Sequence, residues 1–136
     1  MGRVVKERTE EPEIHQYEAT GFTRLINATR FSWSGLCAAF KSEEAVRQEI
    51  ILLLIGSPLA IWLGQNATQR SLLIGSLFLI LIVELLNTAV ETTIDRISHE
   101  IHELSGKAKD IGSAAVLITI ILAAIIWGLI LSERFL

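Results

Sequence analysis

Glu84, Asn87, Glu91 and Asp95 follow directly on the apolar run 72–83 and are spaced three, four and four residues apart. At about 100° per residue, Glu91 and Asp95 fall within about 20° of Glu84, and Asn87 within about 60°. One helix face therefore carries three carboxylates and a carboxamide. A charge near a helix centre in lipid costs about 2.5–3.5 kcal/mol on insertion scales. A proton, a metal ion, a polar partner or a function must offset it. Carboxylates and a carboxamide are hard oxygen ligands suited to Mg2+. A remaining carboxylate could take a proton from a hydroxyl. Lysines such as Lys107 and Lys109 could hold phosphate as point charges. This set fits phosphoryl transfer at a membrane surface, which is mostly positioning and charge neutralisation. A proton or ion pathway fits the same pattern, as does a structural polar seam between helices.

The elements that must position these groups follow from the hydrophobic pattern. Of 136 residues, 51% are hydrophobic, with the apolar residues in blocks, and mean hydropathy is +0.48. Net charge of −3 argues against nucleic-acid binding, and one cysteine, Cys37, excludes an intrachain disulfide. Residues 1–20 are charged and without apolar periodicity, which predicts a flexible polar tail with no secretory signal. Phe22, Leu25, Ile26, Thr29, Trp33, Leu36 and Phe40 recur at helical spacing, interleaved with Arg24, Arg30 and Lys41. This predicts an amphipathic helix over about 22–41 in the membrane interface, with a break near 32–35.

Ser42 reads as an N-cap with Glu43 and Glu44 in the first turn. It opens a span over about 45–63 that contains Pro58. A loop at 64–70 leads to a second span, 71–98, which carries the acidic face. A polar loop, 99–110, leads to a third, 112–131, with Trp127 as an interfacial anchor. The fold class is therefore an all-α membrane protein: a surface helix plus three transmembrane helices within one domain, 21–136. Lys41, Arg47, Arg96, Lys107 and Lys109 lie on one side, and Arg70 and Arg134 on the other. The N-terminus and the 99–110 loop are thus expected in the cytoplasm. No soluble-kinase nucleotide motif is present: Gly106-Lys107 lacks the upstream glycine and the following Ser or Thr of a phosphate-binding loop.

The 84–95 motif, with the blocks 21–24, 32–36, 44–49 and 102–116 in matching order and spacing, resembles the prokaryotic diacylglycerol kinases, small three-span membrane enzymes. The resemblance implies a homotrimer of the bacterial inner membrane with active sites between subunits. It implies phosphorylation of diacylglycerol by MgATP to give phosphatidic acid. Carried over, Glu84 matches the general base and Asn87 a residue that positions substrate or base. Glu43 and Glu91 match the magnesium ligands, and Lys109 the lysine on the ATP phosphates. Asp95, Glu100, His102 and Asp110 match polar residues around the nucleotide. Arg24, Ser32 and Gln48 match the lining of the lipid and γ-phosphate region. Phe31 and Ile101 stand where the family has tyrosines near the nucleotide; Phe31 can still stack on a base and Ile101 cannot. Undecaprenol kinases resemble this family through the same Glu/Asn/Glu face and are the alternative within the class. A small proton or ion channel is the alternative outside it.

Overall fold

A computed structural model describes residues 21–97 and 100–136, so the expected 1–20 tail lies outside it. The chain divides into two compact units, Met1–Trp33 and Ser34–Leu136. The described part of the first is the N-terminal portion of helix α1 (Phe22–Ser42). Gly21, at φ 63°, precedes it in the left-handed region that glycine tolerates. Phe22, Leu25, Ile26 and Trp33 are exposed there, as suits a helix whose apolar side meets lipid. The expected break near 32–35 is absent. Ser32 Oγ donates to the carbonyl of Ala28 at 2.9 Å, so the hydroxyl is satisfied within the helix.

The second unit contains the end of α1 and the helices α2 (Glu44–Leu63), α3 (Ala67–Ile97) and α4 (Glu103–Phe135). All three are long and apolar enough to cross a membrane. Their 20, 31 and 33 residues correspond to about 30, 46 and 50 Å. Against a hydrocarbon layer of about 30 Å, α3 and α4 must extend well into water. α3 packs against both α2 and α4. One apolar cluster joins Ala39, Val46 and Leu81, and another, at the opposite end, joins Ala60, Leu63, Leu73 and Ile130. Only 17–33% of the most apolar window of each helix is buried within the chain, which leaves the remaining apolar surface to lipid or other subunits.

Three helix starts differ from expectation. α1 continues through Ser42. Glu43 takes the N-cap place of α2, with extended backbone (φ −110°, ψ 122°) and no capping bond from its side chain. Arg47 Nη1 instead ties the joint, donating to the carbonyls of Phe40 (3.1 Å) and Lys41 (3.2 Å) at the end of α1. α3 begins at Ala67 rather than 71, because Asn66 Oδ1 accepts from the Gln69 amide at 2.9 Å. α4 begins at Glu103 rather than 112, so most of the expected 99–110 loop is helical. His102 Nδ1 caps it by accepting from the Leu104 amide at 3.2 Å. A polar composition is what a helix projecting beyond the bilayer requires, and it masked the helix in the sequence.

Trp127, expected near the interface, packs against the cluster of Ala60, Leu63, Leu73 and Ile130, and its Nε1 donates to Ser76 Oγ at 3.2 Å, which gives the indole N–H a partner. At the same end Arg134 donates from Nη1 to the carbonyls of Trp62 (2.9 Å) and Leu63. Its guanidinium also lies 5.1 Å from the Trp62 ring centroid. Arg134 thus caps the C-terminus of α2 from α4. Arg134→Ala is expected to destabilise the bundle by about 1–3 kcal/mol, read as a lower temperature of thermal unfolding in detergent. The acidic face of α3 should be little disturbed, since the residue lies at the opposite end of the bundle.

Candidate active site

The polar face of α3 becomes progressively more exposed along the helix. Glu84 is buried at 8% exposure, Asn87 and Glu91 are half-buried, and Asp95 is exposed. Asn87 Nδ2 donates to Glu91 Oε1 at 3.2 Å, a one-turn link that the four-residue spacing makes possible. Asn87 Oδ1 is buried and has no hydrogen-bond partner among the described residues.

α2 brings its acids to the same end. Glu43, at the joint with α1, and Glu49, less than two turns further on, are half-buried. Glu43, Glu49 and Glu91 all lie within electrostatic reach of Glu84. Gln48 Nε2 donates to Glu44 Oε1 at 3.2 Å, one turn back. The sequence places Glu49 with Glu43 and Gln48 at the mouth of the first span without a role of its own, and its Oε2 is buried without a partner among the described residues. The signal available was position: an acid placed directly before the apolar run that begins at Ile50.

α4 supplies the cation. Lys109 Nζ donates to Asp95 Oδ1 at 2.6 Å and lies within electrostatic reach of Glu91. Asp95, Glu100, His102 and Lys109, with Ile94, Ile101, Ser105 and Gly106, line a cavity of about 260 Å³. Four of the residues expected around a nucleotide therefore share one opening, and Ile101 is at it too. Asp110 is exposed on α4 and is not part of that lining. Arg24, Phe31 and Ser32 are exposed on the first unit. The Lys109–Asp95 pair is 38% and 59% exposed at its side chains, and pairs so exposed add little to stability. Asp95→Asn is therefore expected to leave the unfolding midpoint nearly unchanged, measured by denaturant titration in micelles.

Among the described residues, no group of three or more His, Cys, Asp or Glu side chains is gathered to hold a metal by itself. That is no obstacle to magnesium, which usually takes one or two carboxylates and completes its shell with phosphate and water. Glu43, just before α2, and Glu91, on α3, both lie within electrostatic reach of Glu84 and are carboxylates of the kind that could serve.

An all-helical bundle with three membrane-crossing helices and its acids, amide and lysine collected at one end defines a multi-pass membrane enzyme. Residues 30–131 match the prokaryotic diacylglycerol kinase family, and the chain belongs to it. It is 53% identical over 116 residues to the diacylglycerol kinase of Escherichia coli (strain K12), covering 85% of this chain and 95% of that one. It is 50% identical over 115 residues to that of Haemophilus influenzae, covering 85% and 98%. The protein named diacylglycerol kinase in Helicobacter pylori (strain ATCC 700392 / 26695) is 42% identical over 111 residues, covering 82% and 87%. The chain is thus a kinase of the inner membrane.

Proposed function

We propose that this protein transfers the γ-phosphate of ATP to the hydroxyl of diacylglycerol, giving phosphatidic acid, at the cytoplasmic face of the membrane. The observation that carries the reading is the gathering at one end of the bundle of the Asn87–Glu91 link, the buried Glu84 with Glu43 and Glu91 in electrostatic reach, and the Lys109–Asp95 pair at a cavity between α3 and α4. The names of the relatives supply the lipid.

In this reading diacylglycerol approaches laterally from the bilayer, its hydroxyl at headgroup depth. The buried Glu84 carboxylate accepts the hydroxyl proton as the new O–P bond forms and ADP leaves. Asn87 orients Glu91 through its amide. Lys109 leaves Asp95 for the ATP phosphates and offsets their charge. Asp95, Glu100 and His102 surround the nucleotide, with Phe31 stacking on its base and Asp110 at the rim of its site. Arg24, Ser32 and Gln48 line the lipid and γ-phosphate region. Glu43 and Glu91 would hold Mg2+, which when bound neutralises charge on the transferring phosphoryl group.

The domain runs from 21 to 136, with the N-terminus in the cytoplasm, and acts as a homotrimer in which a neighbouring subunit completes each site. The half-exposed Glu43 and Glu91 and the extensive uncovered apolar surface of the spans support this assembly. The test is labelled ATP with diacylglycerol in mixed micelles, with and without magnesium, beside undecaprenol in the same micelles. Label in phosphatidic acid only when magnesium is present is the expected result. Label in undecaprenol alone would overturn the lipid, and indifference to ATP and magnesium would overturn the reaction.

A further inference from the structure

A carboxamide has two different ends, one donating and one accepting, and the surroundings of Asn87 fix which end faces which way. The Glu91 carboxylate accepts from Nδ2, so Oδ1 must turn to the other side, where α4 passes. At that point α4 has Gly112. A Cβ built on Gly112 would overlap Asn87 Oδ1, with the Asn87 Cγ 3.3 Å away. The other described glycines of α4, Gly106 and Gly128, have nothing within 4 Å of such a Cβ. The close approach is therefore a property of this position and not of the helix. In glycine only a hydrogen stands on that side of Cα, which leaves room for Oδ1, as at glycines where helices pack closely. Oδ1 is buried and has no hydrogen-bond partner among the described residues.

We propose that Gly112 is a positioning residue for the phosphoryl transfer: its lack of a side chain seats the Asn87 carbonyl against α4 and so turns the Asn87 amide onto Glu91. The inference rests on the roles given above to Asn87 and Glu91. A methyl group at 112 displaces the carboxamide, because it would take the place that Oδ1 fills. Glu91 then loses the donor that fixes its orientation.

The chain has three asparagines, at 27, 66 and 87, so their side-chain amides can be resolved in full-length protein labelled with 15N-asparagine in micelles. The Asn87 pair is assigned by its loss in Asn87→Ala. The expected result is that this pair shifts in Gly112→Ala and in Glu91→Gln, while those of Asn27 and Asn66 stay in place. Gly128→Ala should leave the Asn87 pair unmoved. Kinase activity of Gly112→Ala should fall by about 10- to 100-fold, the scale of a displacement of about 1 Å at a reacting centre. Asn87→Ala combined with Gly112→Ala should be no less active than Asn87→Ala alone, because both changes act through one contact.

An unmoved Asn87 pair in Gly112→Ala, or losses that multiply in the double variant, overturns the proposal. If Gly112→Ala does not fold, recovery of folded protein on adding Asn87→Ala supports the contact, and no recovery overturns it. Full activity of Asn87→Ala would remove the catalytic part of the argument and the role assigned to Asn87. The spectrum would then still decide whether Gly112 seats the carboxamide.

Discussion

Glu84→Gln is expected to lower turnover by about 10²–10⁴-fold, the usual contribution of a general base, while the protein still folds. The physical reason is local. Glu84 is buried, so a neutral amide of the same shape fills its place without a charge to bury. Stability should hold or rise slightly as activity falls. Label incorporation per folded protein, with circular dichroism and gel filtration on the same samples, separates the two effects. Near-full activity would remove the base assignment. Loss of folded protein would instead mark the acids as a seam that holds the helices together.

The second large effect is expected at Glu91. Glu91→Gln keeps an oxygen that can accept from Asn87 Nδ2, so the one-turn link survives while the charge does not. The expected outcome is a loss of about 10²–10³-fold in kcat/KM for ATP, the scale of one preorganised electrostatic contact, with more magnesium needed for half-maximal rate. Rates measured across a magnesium series at fixed ATP give both quantities. A magnesium dependence identical to that of the unaltered protein would detach Glu91 from the metal. Lys109 lies within reach of both Asp95 and Glu91, so its ammonium offsets little of this loss once it is engaged with phosphate.

The acidic face of α3 was legible because helical periodicity is a local property, and four polar residues in an apolar segment violate it at one angle. The three spans were legible for a related reason: length and hydropathy report on lipid burial without reference to partners. The helix starts were less so. Glu43 occupies the N-cap place because Arg47 closes the joint between α1 and α2, a contact between two helices that no capping pattern announces. The first eight residues of α4 read as a loop because most of them are polar, although polarity there reflects depth and not backbone conformation. The place of Trp127 near a helix end could not announce its hydrogen-bond partner, because Ser76 is 51 residues away.

The sequence alone determined that the chain crosses the membrane three times and that its acids fall on one side of one helix. Both follow from spacing along a single backbone. What those acids face depends on how the helices pack. Glu43 and Glu49 come to Glu84 from α2, Lys109 comes to Asp95 from α4, and Gly112 leaves the space that the Asn87 carbonyl occupies. These pairings depend on the register of one helix against another, which is set by packing at both ends of the bundle. A missing side chain has no signature of its own until another residue fills its place.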